Sequence, residues 1–241
     1  MSRFLASVTD ADEALLALKA GADIIDCKNP AQGALGALSP VVIRGIVAAV
    51  AGRRPVSATV GDLPTEAGRL VGAVRRTAAA DVDYVKLGLF RTDGIEDVLT
   101  ELSPLTRRHR LIAVLFADLM PQLEILPALA AAGFAGVMLD TAGKAEGTLL
   151  DHAGMALLRD FVEQAHDLDL MCGLAGSLRA AQIPALLPLG VDYLGFRGAL
   201  CEQGRSSALS REAMQRIRRS LCAPDTPARL SPVTAFGGAR P

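Results

Sequence analysis

Ala20-Gly-Ala-Asp-Ile-Ile-Asp-Cys-Lys28 packs a helix ending, a turn and a short apolar strand into nine residues. The same syntax returns as Ala79-Ala-Asp-Val-Asp-Tyr-Val-Lys-Leu-Gly88, Ala131-Ala-Gly-Phe-Ala-Gly-Val-Met-Leu-Asp140 and Leu189-Gly-Val-Asp-Tyr-Leu-Gly-Phe-Arg-Gly198. In each, Ala or Gly closes a helix, and an acidic residue often opens the apolar run that follows. The runs are continuous rather than alternating, as expected of strands covered on both faces in a parallel sheet.

Working outward from these segments, eight apolar runs fall at 4–8, 23–27, 56–60, 84–88, 111–117, 136–139, 170–174 and 191–196. Amphipathic segments at 10–20, 40–51, 66–80, 95–102, 121–132, 155–167, 179–187 and 211–221 separate them. Right-handed crossovers leave few topologies for eight such units, and 241 residues is close to the ~250 of one closed barrel. The expected fold is α/β, a single (β/α)8 TIM-type barrel over residues 1–222. Residues 223–241, rich in Pro, Arg and Ala, are expected to be a mobile tail. At the helix starts, Thr9 with Asp12 reads as a capping box and Ser39-Pro40 as an N-cap followed by Pro at the first helical position. Thr65 before Glu66 reads in the same way.

Composition narrows the function. A net charge of −1 gives no electrostatic case for nucleic acid or an anionic membrane. No apolar run approaches the ~20 residues of a membrane span, and the stretch after Met1 is too short for a signal peptide. The four cysteines contain no CxxC and the three histidines no ligand pairing, so reduced thiols, a cytoplasmic location and no metal are expected. A homo-oligomer is expected, of unspecified order.

The lysines carry the chemistry. Of 25 basic residues only four are Lys (Lys19, Lys28, Lys86 and Lys144), and Lys, unlike Arg, can lose its proton near neutral pH and act as an amine. Three of them fall at or beyond the C-terminal ends of the second, fourth and sixth strands. Alternate strands share a layer inside a barrel, and that rim is where barrels keep their chemistry. Asp26 and Asp140 accompany them as candidate functional carboxylates, whereas Asp62 and Asp118 read as turn or capping residues. A neutral Lys28 would attack an aldehyde or ketone to form an iminium, so no cofactor is needed as electron sink. Ammonium groups at Lys86 and Lys144 would depress its pKa and Asp26 would raise it, and sequence leaves the sign open.

Glycine segments follow the last two strands: Gly173-Leu-Ala-Gly-Ser177, with Gly176 and Ser177, and Arg197-Gly198-Ala199. Both lie where barrels cradle phosphate, which makes Gly176, Ser177, Arg197 and Gly198 candidate phosphate contacts. The loop 29–38, with Gly33 and Gly36, is either a lid or a long turn.

The segments GADIIDCKNPAQGALGA, SATVGDLP, DYVKLGL, VMLDTAGK and GLAGSL resemble the (5-formylfuran-3-yl)methyl phosphate synthase family, and the similarity runs from Phe4 to about Cys201. The resemblance implies condensation of two molecules of glyceraldehyde 3-phosphate to a furan aldehyde phosphate, with loss of phosphate and water. It makes Lys28 the Schiff-base lysine and Lys86 the proton acceptor, and it puts Asp26, Asp140 and Lys144 in the site. Where methanogen members tend to carry a lysine before the third strand, this chain has Arg53 and Arg54, which could hold a phosphate. A generic class I aldolase and a phosphosugar-binding regulatory barrel are the competing readings.

Overall fold

Burial on both faces sets the strands, and each lies within two residues of the expected bounds in a computed structural model that describes residues 2–92 and 94–222. They are β1 (Arg3–Val8), β2 (Ile24–Cys27), β3 (Val56–Thr59), β4 (Tyr84–Gly88), β5 (Arg110–Phe116), β6 (Gly136–Asp140), β7 (Met171–Leu174) and β8 (Tyr193–Phe196). All pair in parallel in sequence order, and β8 returns to β1 to close the barrel. Around them lie α1 (Ala11–Lys19), α2 (Pro40–Val50), α3 (Ala67–Ala78), α4 (Glu96–Thr106), α5 (Leu126–Ala131), α6 (Leu149–His152), α7 (Met155–Asp167), α8 (Ile183–Leu186) and α9 (Arg211–Cys222). None of the described helices is long and apolar enough to cross a membrane. The expected tail at 223–241 lies outside the described residues.

The recurring acidic residue acquires a physical role at the N-terminal mouth. The Asp23 amide donates to Phe4 O at 2.8 Å, and its carboxylate accepts the Phe4 amide at 2.9 Å, so one residue clasps both polar groups of its neighbour. Asp83 does the same to Val56 (both 2.8 Å), and Asp192 to Cys172 at 3.0 and 2.8 Å. Two residues earlier the chain turns through the left-handed region, at Gly21 (φ 86°), Asp81 (φ 59°) and Gly190 (φ 74°). The β6 unit keeps the turn at Gly133 but has Ala135 where the other three have Asp.

The lumen is packed by Leu5, Ile24, Ile112, Val114, Phe116, Met138 and Tyr193. Gly173 is required there, because a Cβ would lie 2.2 Å from the Tyr193 ring. Loop 29–38 is a plug rather than a lid. Leu35 is fully buried among the lumen side chains, and Asp62 accepts the amides of Ala34 and Leu35 at 2.7 and 2.6 Å. Beside Leu35 the rings of Phe90 and Phe116 stack at 4.4 Å, so the β3–β5 side of the C-terminal mouth is filled.

Several helix ends differ from expectation. The expected capping box at Thr9 does not form: the N-cap is Asp10, which accepts the Glu13 amide at 2.9 Å, while Glu13 reaches back past it to the Thr9 amide at 2.8 Å. Ser39 caps α2 as expected, with Pro40 first in the helix. Thr65 caps no helix; its hydroxyl accepts the Phe90 amide at 3.1 Å. The segments 121–132 and 179–187 each begin as 3-10 turns before α5 and α8. Pro127 and Pro184 lack an amide and crowd the preceding turn, which shortens both helices. The unexpected α6 is started by a true capping box of Thr148 and Asp151.

Candidate active site

Register brings the first cluster together. Ser7, Asp26 and Ser57 stand level on β1, β2 and β3, and both hydroxyls donate to the Asp26 carboxylate, at 2.9 and 2.7 Å. Lys86 on β4 completes the set, with Nζ 2.8 Å from Asp26 Oδ1. Asp26 is fully buried and Lys86 nearly so. Burial alone would raise the Asp26 carboxyl, but the charges of Lys86 and Lys28 and the hydrogen bonds hold it below the ordinary carboxylate range.

A second cluster lies toward the C-terminal rim. The Lys28 backbone continues from β2, its amide held by Val8 O at 3.0 Å. Its Nζ lies 3.6 Å from Asp140 Oδ2, at the end of β6. Lys144, from the loop after β6, binds the other Asp140 oxygen and the Thr141 carbonyl. Asp140 also accepts the Thr141 amide at 2.7 Å. Burial again opposes the charge, and the two lysines still hold the Asp140 carboxyl well below its usual range. For Lys28 the balance left open by sequence is settled by solvent exclusion. Burial is the largest effect; Lys144 and Lys86 also depress the pKa, Asp140 and Asp26 oppose them, and the result is about 8.

These groups floor a cavity of about 340 Å³, at the small end of ligand-sized sites. Gly176, Ser177 and Leu178 line one wall, and their amides have no hydrogen-bond partner among the described residues. Gly198 and Arg197 line the wall beside β8, but the Arg197 guanidinium is already spent. It donates to both oxygens of Glu13, at 2.6 and 3.2 Å, and to the carbonyls of Ser7, Arg205 and Ser207. Arg197 is therefore a strut between α1 and the β8 loop, with no donor left for a phosphate. Arg53 and Arg54 precede β3 at the opposite mouth, where Arg53 caps the carbonyls of Ala49 and Val50, so neither reaches this cavity.

Asp62 and Asp118 are capping residues, as read from sequence. Asp118 accepts the amides of Ala142 and Gly143 at 2.8 and 2.7 Å and so shapes the loop that carries Lys144. Sequence reading missed Ser7, Ser57 and Arg205. A serine inside an otherwise apolar buried strand was the available signal for the first two. Arg205, in an irregular loop, carried none.

The profile of the family described as 4-HFC-P synthase matches residues 4–218. This chain belongs to the 4-HFC-P synthase family. The relative from Methanopyrus kandleri named (5-formylfuran-3-yl)methyl phosphate synthase is 40% identical over 214 residues, covering 84% of this chain and 90% of that one. The Methanocaldococcus jannaschii protein of the same name is 36% identical over 232 residues, 90% and 98% of the two chains. A Methylorubrum extorquens protein that carries the name provisionally is 45% identical over 200 residues, 83% and 82% of the chains. Among solved structures, 3-hexulose-6-phosphate synthase superposes with TM-score 0.60 at 17% identity, covering 91% of this chain and 99% of that one. Phosphoribosylanthranilate isomerase from Thermotoga maritima gives 0.63 at 12%, covering 92% and 98%. Those two likenesses are of fold alone. This 4-HFC-P synthase family member thus combines a TIM barrel with the two lysine–aspartate clusters described above.

Proposed function

We propose that this enzyme condenses two molecules of glyceraldehyde 3-phosphate through a Schiff base on Lys28, as a lyase that forms (5-formylfuran-3-yl)methyl phosphate. Atom balance releases one phosphate and two waters. The observation that carries the reading is the Lys28 amine, buried at the cavity floor with its pKa brought to about 8 beside two further lysines. At pH 7 about a tenth of such an amine is neutral, far more than of an exposed lysine.

Neutral Lys28 adds to the triose C1 carbonyl. Lys86 gives a proton to the carbinolamine hydroxyl, water departs and the iminium forms. Lys86, now neutral, accepts the proton from C2, which the iminium has acidified, and the enamine results. Asp26 keeps the Lys86 nitrogen in place through both transfers. The Asp140–Lys144 pair holds a fixed charge beside Lys28 while its own charge changes. The enamine carbon is then the nucleophile for the second triose.

Purified protein incubated with glyceraldehyde 3-phosphate is expected to yield a furan aldehyde, seen in the near ultraviolet, together with free phosphate. Borohydride added with substrate is expected to trap an adduct on the peptide containing Lys28. An open-chain aldol without phosphate release would establish the class I aldolase reading instead, and an adduct confined to Lys86 or Lys144 would refute the Lys28 assignment.

A further inference from the structure

We infer that Arg205, in the loop after β8, is the residue that grips a substrate phosphate in the cavity, against the open amides of Gly176, Ser177 and Leu178. The inference rests on the triose-phosphate reading of the site and adds a residue to it. Two arginines of this loop segment face the same cavity with opposite employment. Arg197 has its donors taken by Glu13 and three carbonyls. Arg205 gives a single hydrogen bond, Nη2 to Gly33 O at 2.9 Å across the mouth. Among the described residues no carboxylate lies within ion-pair distance of it.

Charge bookkeeping points the same way. Lys86 is matched by Asp26, Lys28 and Lys144 share Asp140, and Arg197 is matched by Glu13. Of the two lining arginines without a carboxylate partner among the described residues, Arg179 is exposed and Arg205 is half-buried with donors to spare. Burial works against its charge while Asp140 and Asp62 work for it, so it feels the carboxylate that holds Lys28. A planar guanidinium with free donors matches a phosphate dianion in both geometry and charge. Its backbone does not have to move, because the Arg205 carbonyl is fixed by Arg197 Nε at 2.9 Å. Only the bond to Gly33, at the exposed edge of the loop, is exchanged for the ligand.

Inorganic phosphate is the direct probe. Phosphate is expected to raise the melting temperature of the wild-type protein and to compete with glyceraldehyde 3-phosphate. Arg205→Ala should abolish that thermal response and raise KM for glyceraldehyde 3-phosphate about 10- to 100-fold. Trapping of phosphate-free glyceraldehyde on Lys28 should fall far less in the same variant than trapping of glyceraldehyde 3-phosphate. Arg205→Lys, which keeps the charge and loses the fork, should be intermediate, and it covers the case in which the alanine variant folds poorly. An undiminished phosphate response in Arg205→Ala, or a wild-type protein that ignores phosphate, overturns the assignment. So does loss of the response in Arg179→Ala with Arg205→Ala unaffected. An Arg205-dependent phosphate response without any trapped adduct on Lys28 would uphold Arg205 and refute the Schiff-base mechanism.

Discussion

At the N-terminal mouth Asp23, Asp83 and Asp192 each clasp the backbone of a neighbouring strand, while at the C-terminal end Asp26 and Asp140 are buried against lysines. The residue type is the same and the employment is opposite. A carboxylate two residues after a left-handed turn, at the water's edge, replaces a missing ladder partner and fastens strand to strand. A carboxylate inside a strand or at its C-terminal end meets the lumen, where cations and hydrogen-bond donors must keep it charged. Buried ion pairs are weak contributors to stability because desolvation offsets their attraction. The C-terminal end therefore carries its buried charge with little gain in stability, as the proposed chemistry requires, and the opposite end fastens strand to strand.

The largest expected contrast is in turnover. Lys28→Arg keeps a cation but removes the amine, and activity should fall at least about 10³-fold with the circular dichroism spectrum retained. Lys86→Arg should lose activity on the same scale, since guanidinium does not exchange protons in the accessible pH range. Lys144→Arg should retain clearly more than either, because Lys144 acts as the fixed partner of Asp140; equal and complete loss in all three would show that it too works as an amine. Near-normal turnover in Lys28→Arg would erase the distinction between the two ends.

Acidity gives a second contrast. The rate of adduct formation should rise through a pKa of about 8 as Lys28 deprotonates. The sign for stability follows from proton counting: between about 8 and ~10.4 the unfolded chain holds the Lys28 proton and the folded one does not, so stability increases with pH across that window. Below it the folded state carries a penalty on the order of 3 kcal/mol. Denaturant melts of wild type and Lys28→Met across this range should differ in slope; parallel curves would mean that the depressed amine is not Lys28.

At the opposite mouth, Asp83→Ala should leave turnover unchanged and lower unfolding free energy by about 1–3 kcal/mol, as the Val56 amide loses its acceptor. A fall in turnover without a fall in stability would show that the clasp also serves catalysis. The smallest effect is a gain. Ala135 occupies the clasp position of the β6 unit; its amide already donates to Leu111 O, and the Leu111 amide makes no clasp of the kind seen at Phe4, Val56 and Cys172. Ala135→Asp should supply the fourth clasp and add about 0.5–1.5 kcal/mol, measurable as a shift in denaturation midpoint.

The barrel was legible because continuous apolar runs between amphipathic segments have few other solutions. The lysine and aspartate positions were legible because strand ends in a barrel all point to one rim. What escaped depended on contacts distant in sequence. Nothing around Arg197 reveals that Glu13, 184 positions away, will absorb its guanidinium, nor around Leu35 that Asp62 will draw it into the lumen. The first N-cap lies one residue later than expected because two adjacent residues, Thr9 and Asp10, both suit a cap. The proline-shortened helices were missed because the amphipathic pattern runs straight through Pro127 and Pro184.

Every strand pairs with its neighbour in sequence except at the β1–β8 seam, and that seam is latched by Arg197–Glu13, Arg218–Asp23 and Ser2 to Val191 O. Joining chain segments so far apart carries the greatest loop-closure entropy of the fold, which makes the seam the costliest pairing to form. The cavity straddles this junction, with Lys28 on one side and the β8 loop on the other. Until the seam closes Lys28 is solvated and keeps the ordinary lysine pKa near ~10.4. On the Schiff-base reading, a growing or partly folded chain thus exposes no activated amine, and reactivity arrives only with the finished barrel.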